Sequence, residues 1–326
     1  MITKTRLAAI VGSLSIFVAL AGCAGGDAAT PGDDGEKPYV ALVSKGFQHQ
    51  FWQAVKSGTE KAAAEFDVEV TFEGPDTEAD VDQQIQMLQT ALDKSPDAIG
   101  FAALDSKAAG PLLQQAKDSN IPVIAFDSGV DSDIPVTTAS TDNKAAAAEA
   151  AKQLADAIGH EGEVALVVHD QTSVTGVDRR DGFIEYMEKN EPDITIVDTQ
   201  YGGGDQAKSA DLAKAIIAAN PDLAGIYGSN EGSAIGVVQA VKELGLKSTD
   251  IAIVGFDSGK AQTDAIRDGL MIGAITQNPV GIGYETVKAA VEAMEGKKLE
   301  STIDTGYFWY NKDNIDDAEI AAVLYD

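Results

Sequence analysis

One cysteine, three histidines and few positive charges are what this chain of 326 residues has in place of several common chemistries. The single cysteine, Cys23, excludes a disulfide framework and argues against a thiol enzyme. His49, His160 and His169 lie far apart and lack the cysteine or carboxylate spacing of a metal site. Gly202-Gly203-Gly204 is not followed by the lysine and serine of a phosphate loop, nor does it open a G-x-G-x-x-G turn. No nucleophile elbow or cofactor loop is present either, so no cofactor is expected. Basic residues number 24 against 52 acidic ones, a formal charge of −28. Such a surface repels nucleic acid and anionic lipid headgroups.

What is there begins at the amino terminus. Lys4 and Arg6 precede an apolar stretch from Leu7 to Ala21, and no acid appears before Asp27. That is the pattern of a secretory signal, too short for a comfortable membrane span. The stretch ends in Leu20-Ala21-Gly22-Cys23, which resembles the bacterial lipobox. There a peptidase cuts before the cysteine, whose sulfur carries a diacylglycerol. Each buried acyl methylene contributes about 0.8 kcal/mol, and stable anchoring takes more than one chain. Residues 1–22 therefore read as a signal peptide and 23–38, rich in Gly, Asp and Pro, as a lipid-anchored flexible linker. Loss of Lys4 and Arg6 takes the charge to −30, with 22 basic residues left against 52 acidic.

The body begins near Tyr39, and its length is generous for one core, so two domains are expected. Runs rich in Val and Ile predict strands at 39–44, 68–72, 98–101, 123–126, 164–168, 195–199, 225–227, 251–256 and 271–275. Between them, 3.6-periodic segments predict helices such as 51–66, 81–94, 143–158, 177–189, 207–219 and 231–244. Continuous apolar strands joined by crossover helices imply parallel sheets covered on both faces, an α/β protein. The chain also repeats itself. Ser95-Pro96-Asp97 recurs as Asn220-Pro221-Asp222, and Phe126-Asp127-Ser128-Gly129 as Phe256-Asp257-Ser258-Gly259, in the same order. Two similar lobes follow. Ligands of open parallel sheets sit outside the carboxyl ends of the strands, where Asp127 and Asp257 stand, one per lobe.

Several segments carry a family resemblance. They are Val40-Ala41-Leu42-Val43-Ser44, Phe51-Trp52, Ile121-Pro122-Val123-Ile124, Thr141-Asp142-Asn143, Arg179-Arg180-Asp181-Gly182-Phe183, Tyr227-Gly228-Ser229-Asn230 and Val254-Gly255-Phe256-Asp257. In order and spacing they resemble the ribose-binding class of ABC-transporter solute-binding proteins. The resemblance implies the type I periplasmic binding protein fold: two similar doubly wound parallel-sheet lobes joined by a three-crossing hinge near Ser140, Gln277 and Gly306. It implies lobes of 39–140 plus 278–306 and of 141–277 plus 307–326. It also implies a monomeric, non-enzymatic protein whose partners are a sugar, an ABC permease and the permease's ATPase.

Position by position, the resemblance puts Phe51 and its neighbour Trp52 against a sugar ring and Asp127 and Asp257 as carboxylate acceptors. Arg179 is a donor, with Asn230 and Gln277 as further polar partners. Apart from the resemblance, Ser44 and Lys45 at the end of the first strand read as extra contacts, and Lys45 reads equally well as a solvated loop lysine. The sequence departs from the ribose-type pattern at His49, at Ser128 and near Gly204, where that pattern has an asparagine, an arginine and an aromatic residue; His49 and Ser128 are still expected among the ligand contacts.

Other readings stand beside these. Adjacent helical residues point apart, so only one of Phe51 and Trp52 is expected to face the core squarely. Asp127, Asp257 and Asn230 suit helix caps as well as ligands. His169-Asp170 reads as a strand-end loop, and 307–310 as aromatic packing between tail and second lobe. A glycosidase-like acid pair would need Asp127 and Asp257 about 5–10 Å apart across a bond. A repressor would need a helix-turn-helix where this chain has an export signal. A sensory binding protein serving a chemotaxis receptor remains compatible with every residue above.

Overall fold

The computed structural model describes residues 37–325. The expected signal peptide, Cys23 and nearly all of the expected linker lie outside the described residues.

The first half of the body runs β1 (Tyr39–Val43), α1 (Gln50–Phe66), β2 (Glu69–Glu73), α2 (Val81–Asp93), β3 (Ala98–Phe101), α3 (Gly110–Asp118), β4 (Val123–Phe126) and β5 (Thr137–Ser140). The second runs α4 (Asn143–Ile158), β6 (Gly162–Val168), α5 (Val174–Asn190), β7 (Ile194–Tyr201), α6 (Gln206–Ala219), β8 (Leu223–Gly228), α7 (Glu231–Glu243), β9 (Ala252–Phe256), α8 (Lys260–Arg267) and β10 (Gly273–Gln277). The chain closes with α9 (Pro279–Met294), β11 (Thr302–Asp304), β12 (Tyr307–Asn311) and α10 (Ala318–Ala321).

Two six-stranded sheets result, ordered β11-β5-β4-β3-β1-β2 and β12-β10-β9-β8-β6-β7. Without their outermost strands, β11 and β12, the two orders are the same, so the repeat read in the sequence is a repeat of topology. Strands β4 and β9, which end in Phe126 and Phe256, hold equivalent places. The chain leaves the first sheet after Ser140, returns after Gln277 and crosses again between Asp304 and Tyr307.

Strand alternation explains the apolar runs. Val40 and Leu42 face one hydrophobic cluster while Ala41 and Val43 face another. In β6, Val164, Leu166 and Val168 point to one side and Ala165 and Val167 to the other. Both faces of each sheet are covered, which is why strands such as β1, β3 and β4 are apolar on both sides. Helices α1 and α9 lie so close that a β-carbon on Gly283 would be driven into the carbonyl of Val55.

Some elements were not foreseen. β5 is only Thr137–Ser140, too short and polar to stand out. The aromatic run 307–310 does pack on the second lobe, as most of β12, an unforeseen antiparallel edge strand on β10 with Tyr310 fully buried. The strand expected at 271–275 forms at Gly273–Gln277, because pairing with β9 begins at Gly273 and the strand continues through Thr276 and Gln277. Polarity at the end of that strand belongs to the site described next. The tail packs Ile315 and Ile320 into the second lobe's core. Tyr325 then reaches Phe51 in the first lobe, so the last residues touch both lobes rather than the second alone.

Candidate functional site

The carboxyl ends of both sheets converge on one small cavity. Nine of the ten residues expected from the sequence line it: Lys45, His49, Phe51, Trp52, Asp127, Arg179, Asn230, Asp257 and Gln277. Ser128 does not. It is buried behind Asp127, its hydroxyl without a hydrogen-bond partner among the described residues. Two lining residues were missed, Glu78 and His169.

Each strand-end aspartate sits at positive φ, 55° for Asp127 and 80° for Asp257. This left-handed backbone, which Asp tolerates better than most residues, ends the strand sharply. Capping by Asp127 is ruled out, because no helix follows it before α4. Its carboxylate accepts no hydrogen bond among the described residues, although only 4% of the residue is exposed. Burial pushes Asp127 up to about 6, with Lys45 and Arg179 opposing. Asp257 does not cap its own helix α8; its Oδ2 accepts the N–H of Glu231 in the first turn of α7, at 2.9 Å. Its Oδ1 accepts from Gln277 Nε2 at 2.8 Å. Gln277 Oε1 has no partner among the described residues.

Arg179 is clamped. Its guanidinium lies 3.8 Å from the centre of the Phe256 ring. Nε donates to Asn143 Oδ1 at 2.7 Å and Nη1 to the carbonyl of Ser229 at 3.0 Å. Asp257 Oδ2 stands 3.8 Å from Nη1. A desolvated cation over an aromatic face is stabilised by about 2 kcal/mol, so the fork is held before any ligand arrives. Lys45, from the first lobe, donates to Thr175 Oγ1 of the second at 2.9 Å, leaving two of its three hydrogens.

Phe51 and Trp52 are both buried, 5% and 1% exposed, contrary to the expectation that only one would face a core. They sit in the first turn of α1, where the second lobe closes over the side that solvent would otherwise take. Trp52 Nε1 donates to Glu78 Oε1 at 2.7 Å, and Asn230 Nδ2 donates to Glu78 Oε2 at 3.1 Å across 152 residues of chain. Asn230 caps α7 through its Oδ1 as well, so cap and cavity wall are one residue. Burial alone would raise Glu78, but His49, Nε2 at 3.6 Å, and Lys45 hold it well below the usual carboxylate range. Burial also opposes charge on His49, yet Glu78, Glu231 and Asp257 raise it. Neither ring nitrogen of His49 has a hydrogen-bond partner among the described residues.

Glu78 carried no signal in the sequence, being one acid in the polar run 73–82. His169 did carry one: it directly follows β6, and the strand-end rule that found Asp127 applies to it. Burial holds His169 well below its ordinary value, so it is neutral, bonded through Nδ1 to Ser229 Oγ at 2.8 Å. Gly204, at φ +69°, lies against Glu78; a β-carbon there would sit 2.8 Å from Oε2. An aromatic residue at that position has no room beside this glutamate.

The cavity thus offers an aromatic wall, unspent acceptors on Asp127 and Gln277, and unspent donors on Lys45 and His49. Among the described residues no group of three His, Cys, Asp or Glu is arranged to hold a metal ion.

Residues 40–298 match the family described as periplasmic binding protein domain. The chain is 30% identical over 267 residues to the D-allose-binding periplasmic protein of Escherichia coli K12, covering 79% of this chain and 85% of that one. Its structure is similar to that of an ABC transporter solute-binding protein from Agrobacterium vitis bound with alpha-D-tagatopyranose. The TM-score is 0.85 and the identity 32%, over 89% of this chain and 100% of that one. It is also similar to a carbohydrate transporter solute-binding protein from Agrobacterium radiobacter in complex with D-arabinose, with TM-score 0.85 and 31% identity over 88% and 99% of the two chains. With a match running through both lobes and a cavity at the facing strand ends, this chain belongs to the periplasmic binding protein family.

Proposed function

We propose that this chain is the extracytoplasmic binding component of an ABC importer. It takes a monosaccharide or related polyol between its lobes and delivers it to a permease whose partner ATPase supplies the work. The observation that carries the reading is one cavity, lined from both lobes, that presents unspent donors and acceptors beside an aromatic wall. A sugar has apolar C–H faces and a rim of hydroxyls that donate and accept. It therefore suits aromatic surface with a few ionised planar side chains, each charged hydrogen bond contributing about 1.5–3 kcal/mol.

In this reading Phe51 and Trp52 pack on the ring. Asp127 and Asp257 accept from hydroxyls, and Arg179, Lys45 and His49 donate. Asn230 and Gln277 complete the rim. The three crossings near Ser140, Gln277 and Gly306 are the hinge, and the lobes close on the ligand by rotation about them. Lipidated Cys23 holds the monomeric protein at the outer face of the cytoplasmic membrane. Relatives and similar structures support the ligand class, since those named above bind D-allose, a tagatopyranose and D-arabinose.

The test is thermal unfolding of the body from Lys37 onward with D-allose, D-ribose, D-tagatose, D-arabinose and D-fucose. A ligand at a hundred times its dissociation constant adds about 2.7 kcal/mol. A selective rise in melting temperature is expected. A flat response to all five refutes monosaccharide binding and turns attention to nucleosides and glycosides.

A further inference from the structure

Two helices at the cleft start without a cap of their own. Helix α1 follows His49, whose side chain makes no capping bond, and α8 follows Gly259, which has no side chain to make one. Elsewhere around the cleft a polar side chain fills that place: Ser173 for α5, Asp205 for α6, Asn230 for α7. Orphan N–H groups of a first turn need a partner.

Both missing caps come from the opposite lobe. Glu231, the first residue of α7, accepts the N–H of Gln50 with Oε1 and that of Phe51 with Oε2, each at 3.1 Å. Gln50, the first residue of α1, accepts the N–H of Lys260 in α8 with its Oε1 at 2.8 Å. The exchange is reciprocal: the residue capped by the second lobe supplies the side chain that caps the second lobe. Glu231 is 3% exposed, and its own N–H is pinned to Asp257 Oδ2. Its carboxylate also stands at the positive end of the α1 dipole, where negative charge is favoured. Neither Glu231 nor Gln50 lines the cavity.

We infer that this reciprocal capping is the latch of the closed form, so that Glu231 and Gln50 are positioning residues that set sugar affinity without touching the sugar. The inference rests on the proposed function, because it needs lobes that separate. When they part, water replaces both caps, and Glu231 regains its hydration. When they close, the caps form together and hold the first turn of α1, which carries Phe51 and Trp52. Apparent affinity scales with the fraction of molecules that reach the binding-competent form. Removing a cap lowers that fraction and leaves the cavity's own groups in place.

The variants are Glu231→Ala, Glu231→Gln, Gln50→Ala and the Ala/Ala double, each titrated calorimetrically with the sugars of the panel above. Glu231→Ala is expected to weaken binding about tenfold, equal to about 1.4 kcal/mol, mainly through faster dissociation. Gln50→Ala is expected to weaken it about threefold, and the double by the product, since the caps lie on different helices. Glu231→Gln keeps one acceptor oxygen and should fall between wild type and Glu231→Ala. Ligand-free melting temperatures should change little, because the open form that then predominates over a minor closed population makes neither cap.

Unchanged affinity in both single variants overturns the latch. So does a ligand-free melting temperature that falls as far as the sugar-bound one, which marks an ordinary structural cap. If no sugar binds wild type, the functional reading fails separately. The latch is then read from spin-label distances between the lobes without ligand: a short-distance population that shrinks in Glu231→Ala supports it, and identical distributions overturn it.

Discussion

Replacing Asp127 by asparagine should make the protein more stable and the binding weaker at once. The carboxylate is buried, accepts no hydrogen bond among the described residues, and titrates near 6 instead of the ordinary 3.8. Each pH unit between those two values corresponds to about 1.36 kcal/mol, so carrying the charge at pH 7 costs the closed form up to about 3 kcal/mol. The sign follows from proton counting. Between pH 3.8 and 6 the native state keeps a proton that the unfolded chain has lost, so stability falls as pH rises through this window. Asp127→Asn removes that slope, and at pH 7 it gains up to the same ~3 kcal/mol. Affinity moves the other way. A sugar hydroxyl donating to the ionised carboxylate contributes about 1.5–3 kcal/mol, most of which an amide oxygen forgoes. Wild-type affinity should also decline below about pH 6, approaching tenfold per pH unit, while the asparagine variant lacks this acid-side decline, His49 being already charged there. Urea unfolding and calorimetric titration across that range read both effects. A variant less stable than wild type at pH 7, or one with wild-type pH dependence of binding, refutes the assignment.

Trp52→Phe leaves Glu78 Oε1 without its 2.7 Å donor; an unsatisfied buried acceptor costs about 1–3 kcal/mol, and urea unfolding of the ligand-free protein should show the loss, since both residues belong to the first lobe. Gly283→Ala pushes a β-carbon into the backbone of α1 at Val55, so overpacking of about 1–3 kcal/mol is expected in thermal unfolding, and an unchanged melting temperature would mean that α1 and α9 part easily at this contact.

Much of this molecule follows from residues close together in the chain. Two-residue alternation places Val40 and Leu42 against one core and Ala41 and Val43 against the other. The repeated Phe-Asp-Ser-Gly motif marks equivalent strands in two lobes, and the strand-end rule brings Asp127 and Asp257 to one cavity. These are local signals, because a strand's period and its ending are written in adjacent residues. Short or edge elements such as β5 and β12 escaped, since four residues of which three are polar, or an aromatic run, give too little periodicity to read.

Tertiary structure decided the rest. Glu78 looks like any surface acid until Trp52 and, across 152 residues, Asn230 converge on it. His169 was legible by position, yet its neutral state depends on burial. Phe51 and Trp52 are both buried in the first lobe's core, which Tyr325 of the tail helps to cover. The reciprocal caps between Glu231 and Gln50 join residues 181 positions apart. Sequence determined which residues stand at the strand ends. Which of them meet, and in what charge state, was set by closure of one lobe on the other, because burial and long-range pairing exist only after the chain has folded.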